Sequence, residues 1–129
     1  MLKFAANLSM LYTEVAFLDR YRLAAEDGFK GVECLFPYEE SATTIKQQLE
    51  NLGMQQVLFN IPSGDWQAGE RGMACLPGRQ IECLDAVKKA LDYATALGTQ
   101  QLHLMAGIRP TCLPEALIQE QYLETVAAA

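Results

Sequence analysis

Gly28-Phe29-Lys30-Gly31-Val32-Glu33-Cys34-Leu35-Phe36-Pro37 decides the fold. Val32–Phe36 is a short, nearly continuous apolar run ended by a proline, as expected of a strand covered on both faces. Gly28 can close the preceding helix in the left-handed conformation. The same spacing recurs downstream. Gly53 stands four residues before Val57, and Gly98 four residues before Leu102. The intervals between these glycines are 25 and 45 residues, and residues 63–79 form a loop of 17. Set that loop aside, and the longer interval shrinks nearly to the shorter one. The repeat is one strand–helix unit, and consecutive units of this kind build parallel sheets with right-handed crossovers.

Working outward, residues 3–8 read as a first strand. A helix over 17–27 carries Phe17, Tyr21, Ala24 and Ala25 on one stripe. Ser41 is placed to cap a second helix, with Ile45, Leu49 and Leu52 on its apolar side and Gly53 at its end. Val57–Ile61 reads as the third strand, stopped by Pro62. A long helix over about 80–97 is expected to bury Ile81, Leu84, Val87, Leu91 and Ala94, with Gly98 as its cap. Leu102–Ala106 is the fourth strand, and Pro114 suits the first turn of a last helix running toward Ala129. The chain therefore reads as a single α/β domain, 1–129, of about four consecutive βα units. Periodicity alone fits a doubly wound sheet and half a barrel equally.

Composition narrows the function. The net charge is −6, and the longest basic run is Lys88-Lys89. Phosphate binding needs a clustered basic footprint, so no nucleic-acid partner is expected. No apolar run approaches the ~20 residues of a membrane span, and the start Met1-Leu2-Lys3-Phe4 has no signal-peptide pattern. A cytoplasmic location is expected. Cys34, Cys75, Cys83 and Cys112 include no Cys-x-x-Cys pair and suggest buried or incidental thiols.

Four segments carry a family resemblance. They are Asn7-Leu8-Ser9-Met10-Leu11, Gly31-Val32-Glu33 leading to Phe36-Pro37-Tyr38, Asn60-Ile61-Pro62-Ser63-Gly64-Asp65-Trp66, and Gly69-Glu70-Arg71-Gly72-Met73-Ala74-Cys75-Leu76-Pro77-Gly78-Arg79. From Lys3 to about Gly107 the chain resembles the hydroxypyruvate isomerase family of xylose-isomerase-like barrels, which also includes 2-oxo-tetronate isomerases. The resemblance implies the N-terminal half of a (β/α)8 TIM barrel, since a complete barrel has about 250 residues. It implies an aldose–ketose type isomerisation of hydroxypyruvate to tartronate semialdehyde through an enediol. It also implies a divalent metal, Mg or Mn, for the full-length family. The family's acid/base glutamates and metal ligands belong to strands five to eight. No catalytic residue, bound metal or turnover is therefore expected of this chain alone.

Reactive groups of barrels sit at the C-terminal ends of strands and in the loops that follow. That rule selects Asn7, Glu33, Asn60 and Arg71 as substrate-binding candidates. Arg71 suits a carboxylate because a guanidinium grips it two-pronged; a loop pair with Asp65 or Glu70 is the alternative. Glu33 is read either as a hydroxyl contact, a partner of the loop Arg, or half of a structural ion pair. Asn60 either meets substrate or satisfies backbone. Trp66 is expected to pack the base of the loop. His103, the one histidine, is expected to be structural or to support a neighbour. The expected partner is a small 2-oxo acid or sugar acid, with homo-oligomers forming through exposed sheet edges. A non-catalytic barrel fragment that only folds or associates is the alternative from another class. A related 2-oxo-tetronate isomerase, a sugar epimerase or a barrel endonuclease would keep the fold and change the chemistry.

Overall fold

The computed structural model describes residues 2–129. Its elements alternate without exception: β1 (Ala5–Asn7), α1 (Phe17–Glu26), β2 (Gly31–Cys34), α2 (Ala42–Leu52), β3 (Gln55–Asn60), α3 (Gln80–Leu97), β4 (Gln101–His103) and α4 (Glu115–Ala128). The sheet order is β1-β2-β3-β4, so sequence neighbours are spatial neighbours. β1 pairs with β2, and β2 with β3, in parallel. A helix between each pair of adjacent parallel strands, with no reversal of order, is how a barrel grows.

Contacts group into two compact units. The first holds the chain up to Phe59 together with Asp92–Leu102. Its core contains Ala6, Leu8, Tyr21, Ala24, Val32, Ile45 and Phe59, all fully buried. The expected helix stripes hold here for Tyr21, Ala24, Ile45 and Leu49. Ser41 caps α2 as expected, its side chain accepting the Thr44 N–H at 3.0 Å. Gly53 follows α2 with φ 60°, the left-handed conformation expected of it.

Several boundaries move, each for a local reason. β2 stops at Cys34 rather than Phe36, because the Leu35 N–H donates to Ser9 Oγ at 2.9 Å and not to a neighbouring strand. β1 is shorter than residues 3–8, since the Asn7 carbonyl accepts the N–H groups of Met10 and Leu11 and turns the chain. β3 begins two residues early, at Gln55. Gln56 is buried because its amide is fully engaged. It accepts the Tyr21 hydroxyl at 3.1 Å and donates to the Leu58 carbonyl at 2.9 Å and to Cys34 Sγ at 3.5 Å. The register of β2 on β3 shifts between Val32 and Glu33, next to this residue.

The second unit holds Asn60–Leu91 and His103–Ala129. Met73, Ala74 and Cys83 form its buried centre, with Ala86, Leu104 and Tyr122 against them. β4 ends at His103, not at Ala106, which instead forms a single antiparallel bridge with Gly72. The stripe expected on α3 is corrected: Ile81 is 77% and Leu91 48% exposed. The buried positions are Cys83, Val87, Ala90 and Ala94. They too follow helical spacing, so the helix is turned to bury its smaller residues. Pro114 stands at the cap of α4, one residue before its first turn.

Candidate functional site

The first cluster is made by pairing register. Asn7 is the last residue of β1, and its partner across the ladder is Glu33 of β2. Facing positions on adjacent strands point to the same side, so the two side chains meet. Asn7 Nδ2 donates to Glu33 Oε1 at 2.9 Å, and Asn7 Oδ1 accepts the Ser9 N–H at 3.0 Å. Glu33 therefore holds an amide, and among the described residues it has no ion-pair partner. The ion-pair reading of Glu33 is set aside. A carboxylate with one oxygen on a fixed amide can offer the other to a hydroxyl.

The second cluster lies in the other unit. Asn60, 4% exposed, is the last residue of β3, and His103 is the last of β4. The Ile61 N–H donates to the His103 carbonyl at 3.0 Å, which brings the two strand ends together. Asn60 Oδ1 and His103 Nδ1 are 3.1 Å apart, and Asn60 Nδ2 lies 3.7 Å from Met105 Sδ.

The third feature is the loop 63–79. Arg79 binds Glu70 on one side and Glu82 on the other. Glu70 also accepts the Asp65 N–H at 2.6 Å. The Arg79 hydrogen bond, and then the Asp65 N–H, hold the Glu70 carboxyl below the usual carboxylate range. Gly64, at φ 86°, holds a conformation that strains other residues, and a Cβ there would also displace the Glu70 carboxylate. Gly72, at φ 114°, lies so close to the Met105 carbonyl that any side chain would collide with backbone.

This clamp settles which charge Arg71 does not meet. Glu70 is taken by Arg79, and the alternative pairing of Arg71 with Asp65 or Glu70 is absent among the described residues. Arg71 Nη1 donates to the carbonyls of Trp66 at 3.0 Å and Glu70 at 2.7 Å. Its guanidinium lies 3.7 Å over the Trp66 ring. Among the described residues it has no carboxylate partner. Backbone oxygens and an aromatic face thus hold a half-buried cation in place while its charge stays unneutralised.

The described residues do not fit a metal. No group of three or more His, Cys, Asp or Glu side chains gathers anywhere among them, whereas Mg or Mn asks for several hard oxygen ligands. The four cysteines are free: Cys34, Cys75 and Cys83 are buried, and Cys112 is exposed. Burial pushes the Cys34 thiol up to about 12, far from a reactive thiolate. Among the described residues, no helix is long and apolar enough to cross a membrane. Cavities of about 500 and 700 Å³ lie in the first unit at the starts of the strands. Asn7 and Asn60 end their strands, Glu33 stands one residue before the end of β2, and Arg71 lies in the loop after β3, the region where barrel chemistry is placed.

Fold and placement of polar groups define a class: consecutive βα units of a parallel barrel with polar residues at the C-terminal strand ends. Residues 21–129 match the family described as Xylose isomerase-like TIM barrel, and the chain belongs to that family. It is 49% identical over 127 residues to a 2-oxo-tetronate isomerase of Cupriavidus necator, covering 98% of this chain and 49% of that protein. It is 43% identical to the hydroxypyruvate isomerase of Escherichia coli over 100% of this chain and 50% of that one. A crystal structure titled AP endonuclease, family 2, from Brucella melitensis is 51% identical and superposes with a TM-score of 0.93, over 97% of this chain and 48% of that one. The chain thus spans about half the length of the relatives it matches.

Proposed function

We propose that this chain is half of a barrel isomerase that interconverts hydroxypyruvate and tartronate semialdehyde. In that reaction a base takes a proton from C3, an enediol forms, and a proton returns at C2. The observation that carries the reading is Arg71: a positioned guanidinium with no carboxylate partner among the described residues. A 2-oxo acid supplies the missing anion. Asn60 stands in the same unit as a second polar contact, and the Asn7–Glu33 pair of the other unit is a separate candidate for holding a hydroxyl. The isomerase names of the relatives support the reaction class. A 2-oxo-tetronate is the neighbouring substrate choice, since it carries the same carboxylate and carbonyl.

The chain alone is expected to be inactive. Abstracting a proton beside a carbonyl needs a base within hydrogen-bond reach and a positive centre for the enediolate oxygen. Glu70 is neutralised by Arg79, and no metal-ligand set is present among the described residues. A divalent Mg or Mn ion would be held by oxygen ligands outside the described residues. The endonuclease reading is disfavoured, because a chain of net charge −6 lacks the basic footprint that DNA needs. Four free thiols suit a cytoplasmic location.

Hydroxypyruvate titrated into the purified chain should change the emission of Trp66, the one tryptophan. Arg71→Ala should weaken that binding about tenfold or more, in line with the loss of a charge-assisted bond. Tartronate semialdehyde should not accumulate, even with added Mg or Mn. Equal affinity of the variant would remove Arg71 from the site, and turnover would show that this half holds its own acid and base.

A further inference from the structure

His103 and Asn60 form a pair whose chemistry is fixed by geometry. Two readings of the contact exist, because either partner could donate. In the observed orientation Asn60 Oδ1 faces the ring nitrogen at 3.1 Å, and its Nδ2 faces Met105 Sδ at 3.7 Å. An amide oxygen only accepts, so His103 Nδ1 must carry the proton. Turning the amide over would set Oδ1 against a thioether sulfur, which has no proton to give. Met105 thus favours the observed amide orientation, and that orientation selects the tautomer. The hydrogen bond made by one ring nitrogen determines the state of the other. Asn60 is buried and stands on a strand end tied to that of His103 by the Ile61 N–H. The ring of His103 is exposed, and Nε2 has no partner among the described residues.

We propose that Asn60 is a positioning residue that holds neutral His103 as its Nδ1–H tautomer, so that the Nε2 lone pair accepts a hydrogen bond from a substrate hydroxyl. The proposal rests on the isomerase reading and narrows it to hydroxylated 2-oxo acids. Pyruvate carries the same carboxylate and carbonyl as hydroxypyruvate but lacks the C3 hydroxyl. A site that accepts a hydrogen bond from a hydroxyl discriminates against the analogue that lacks it.

Since His103 is the one histidine, its ring nitrogens can be observed without ambiguity in the 15N-labelled chain. With the imidazole neutral, long-range 1H–15N correlation should show Nδ1 protonated and Nε2 bare. Asn60→Ala should abolish that bias, and Asn60→Asp, which keeps an acceptor oxygen, should retain it. Hydroxypyruvate should shift Nε2 and pyruvate should not, with an affinity preference of about tenfold lost in His103→Phe. A dominant Nε2–H form in the wild-type chain overturns the proposal without touching the isomerase reading. So does a Trp66 response to hydroxypyruvate with no movement of Nε2. If neither Trp66 nor Nε2 responds to hydroxypyruvate, the isomerase reading fails with it.

Discussion

Glutamine at position 56 shows how a residue that argues against a strand can hold one together. Read from sequence, the third strand begins with the apolar run at Val57 and leaves Gln55-Gln56 outside it. In the fold Gln56 is 2% exposed, and Tyr21, Leu58 and Cys34 all bond its amide. Burying an amide is tolerable only when it is bonded. The partner that matters comes from α1, 35 residues earlier, so local pattern could not reveal it. Tyr21→Phe removes one oxygen, keeps the packing, and strips the Gln56 carbonyl of that donor. We expect a loss of about 1–3 kcal/mol in unfolding free energy, read from urea titration. A loss below about 0.5 kcal/mol would mean that another donor takes over or that water reaches the amide. The candidate site residues divide in the same way. Asn7, Glu33 and Asn60 are selected as candidates by their places on the predicted strands. Their partners depended on register, and the Asn60–His103 pair joins residues 43 apart. The sequence holds no signal for it: its pattern runs the third strand to Ile61 and the fourth to Ala106, and only the fold makes Asn60 and His103 the last residues of their strands.

At the scale of elements, α3 and the loop before it show what periodicity can and cannot supply. The length of α3 was legible, because its apolar spacing begins and ends where the helix does. Its rotation was not. Ile81, Val87 and Leu91 share a wide apolar stripe with Cys83, Ala90 and Ala94, and pattern alone ranks large residues above small ones. The fold buries the small ones and leaves Ile81 and Leu91 outside. The loop 63–79 has no periodicity at all, and its order comes from charge. Glu70 and Glu82 both have carboxyls held below their usual range, chiefly by Arg79. A depressed folded-state pKa contributes stability above the unfolded value of about 4.3, and that contribution disappears as pH falls through the folded value. The loop should therefore be equally ordered across neutral and mildly acidic pH, and should loosen only below about 4.3. Trp66 reports this directly, since Arg71 on its ring is held by carbonyls of the same loop. Its emission should shift toward that of solvent-exposed tryptophan in that acid window. Arg79→Met should show the shifted emission already at neutral pH and should flatten the acid transition. A transition of unchanged size in Arg79→Met would assign it to other carboxylates.

For the whole molecule, the decisive quantity is the ratio of lengths. Relatives that this chain matches from end to end are twice as long. Alternation of βα units was readable from the glycine spacing, and the resemblance turned that into a barrel. The solvent left on the apolar residues was not readable, because exposure depends on what else is present. Leu2 is 81% and Phe4 71% exposed, and Ile108 and Leu123 are more than half exposed. Among the described residues, β1 and β4 stand at the two ends of the strand order, each with one paired neighbour. Open strand edges beside apolar side chains favour association. A second copy is the occupant we expect, since the same edges and apolar side chains recur on each copy. We therefore expect sedimentation to show a monomer–dimer equilibrium in the micromolar range. Leu2→Ser with Phe4→Ser should shift it at least tenfold toward monomer, since each exposed side chain that becomes buried contributes about 1.5–3 kcal/mol. Both residues precede β1 and are exposed, so the double variant should leave folding stability nearly unchanged. A chain that stays monomeric at tens of micromolar would show that its edges are protected without a partner. A dimer indifferent to the double variant would place the contact elsewhere, with α4 and its exposed Leu117, Leu123 and Val126 the next surface to alter.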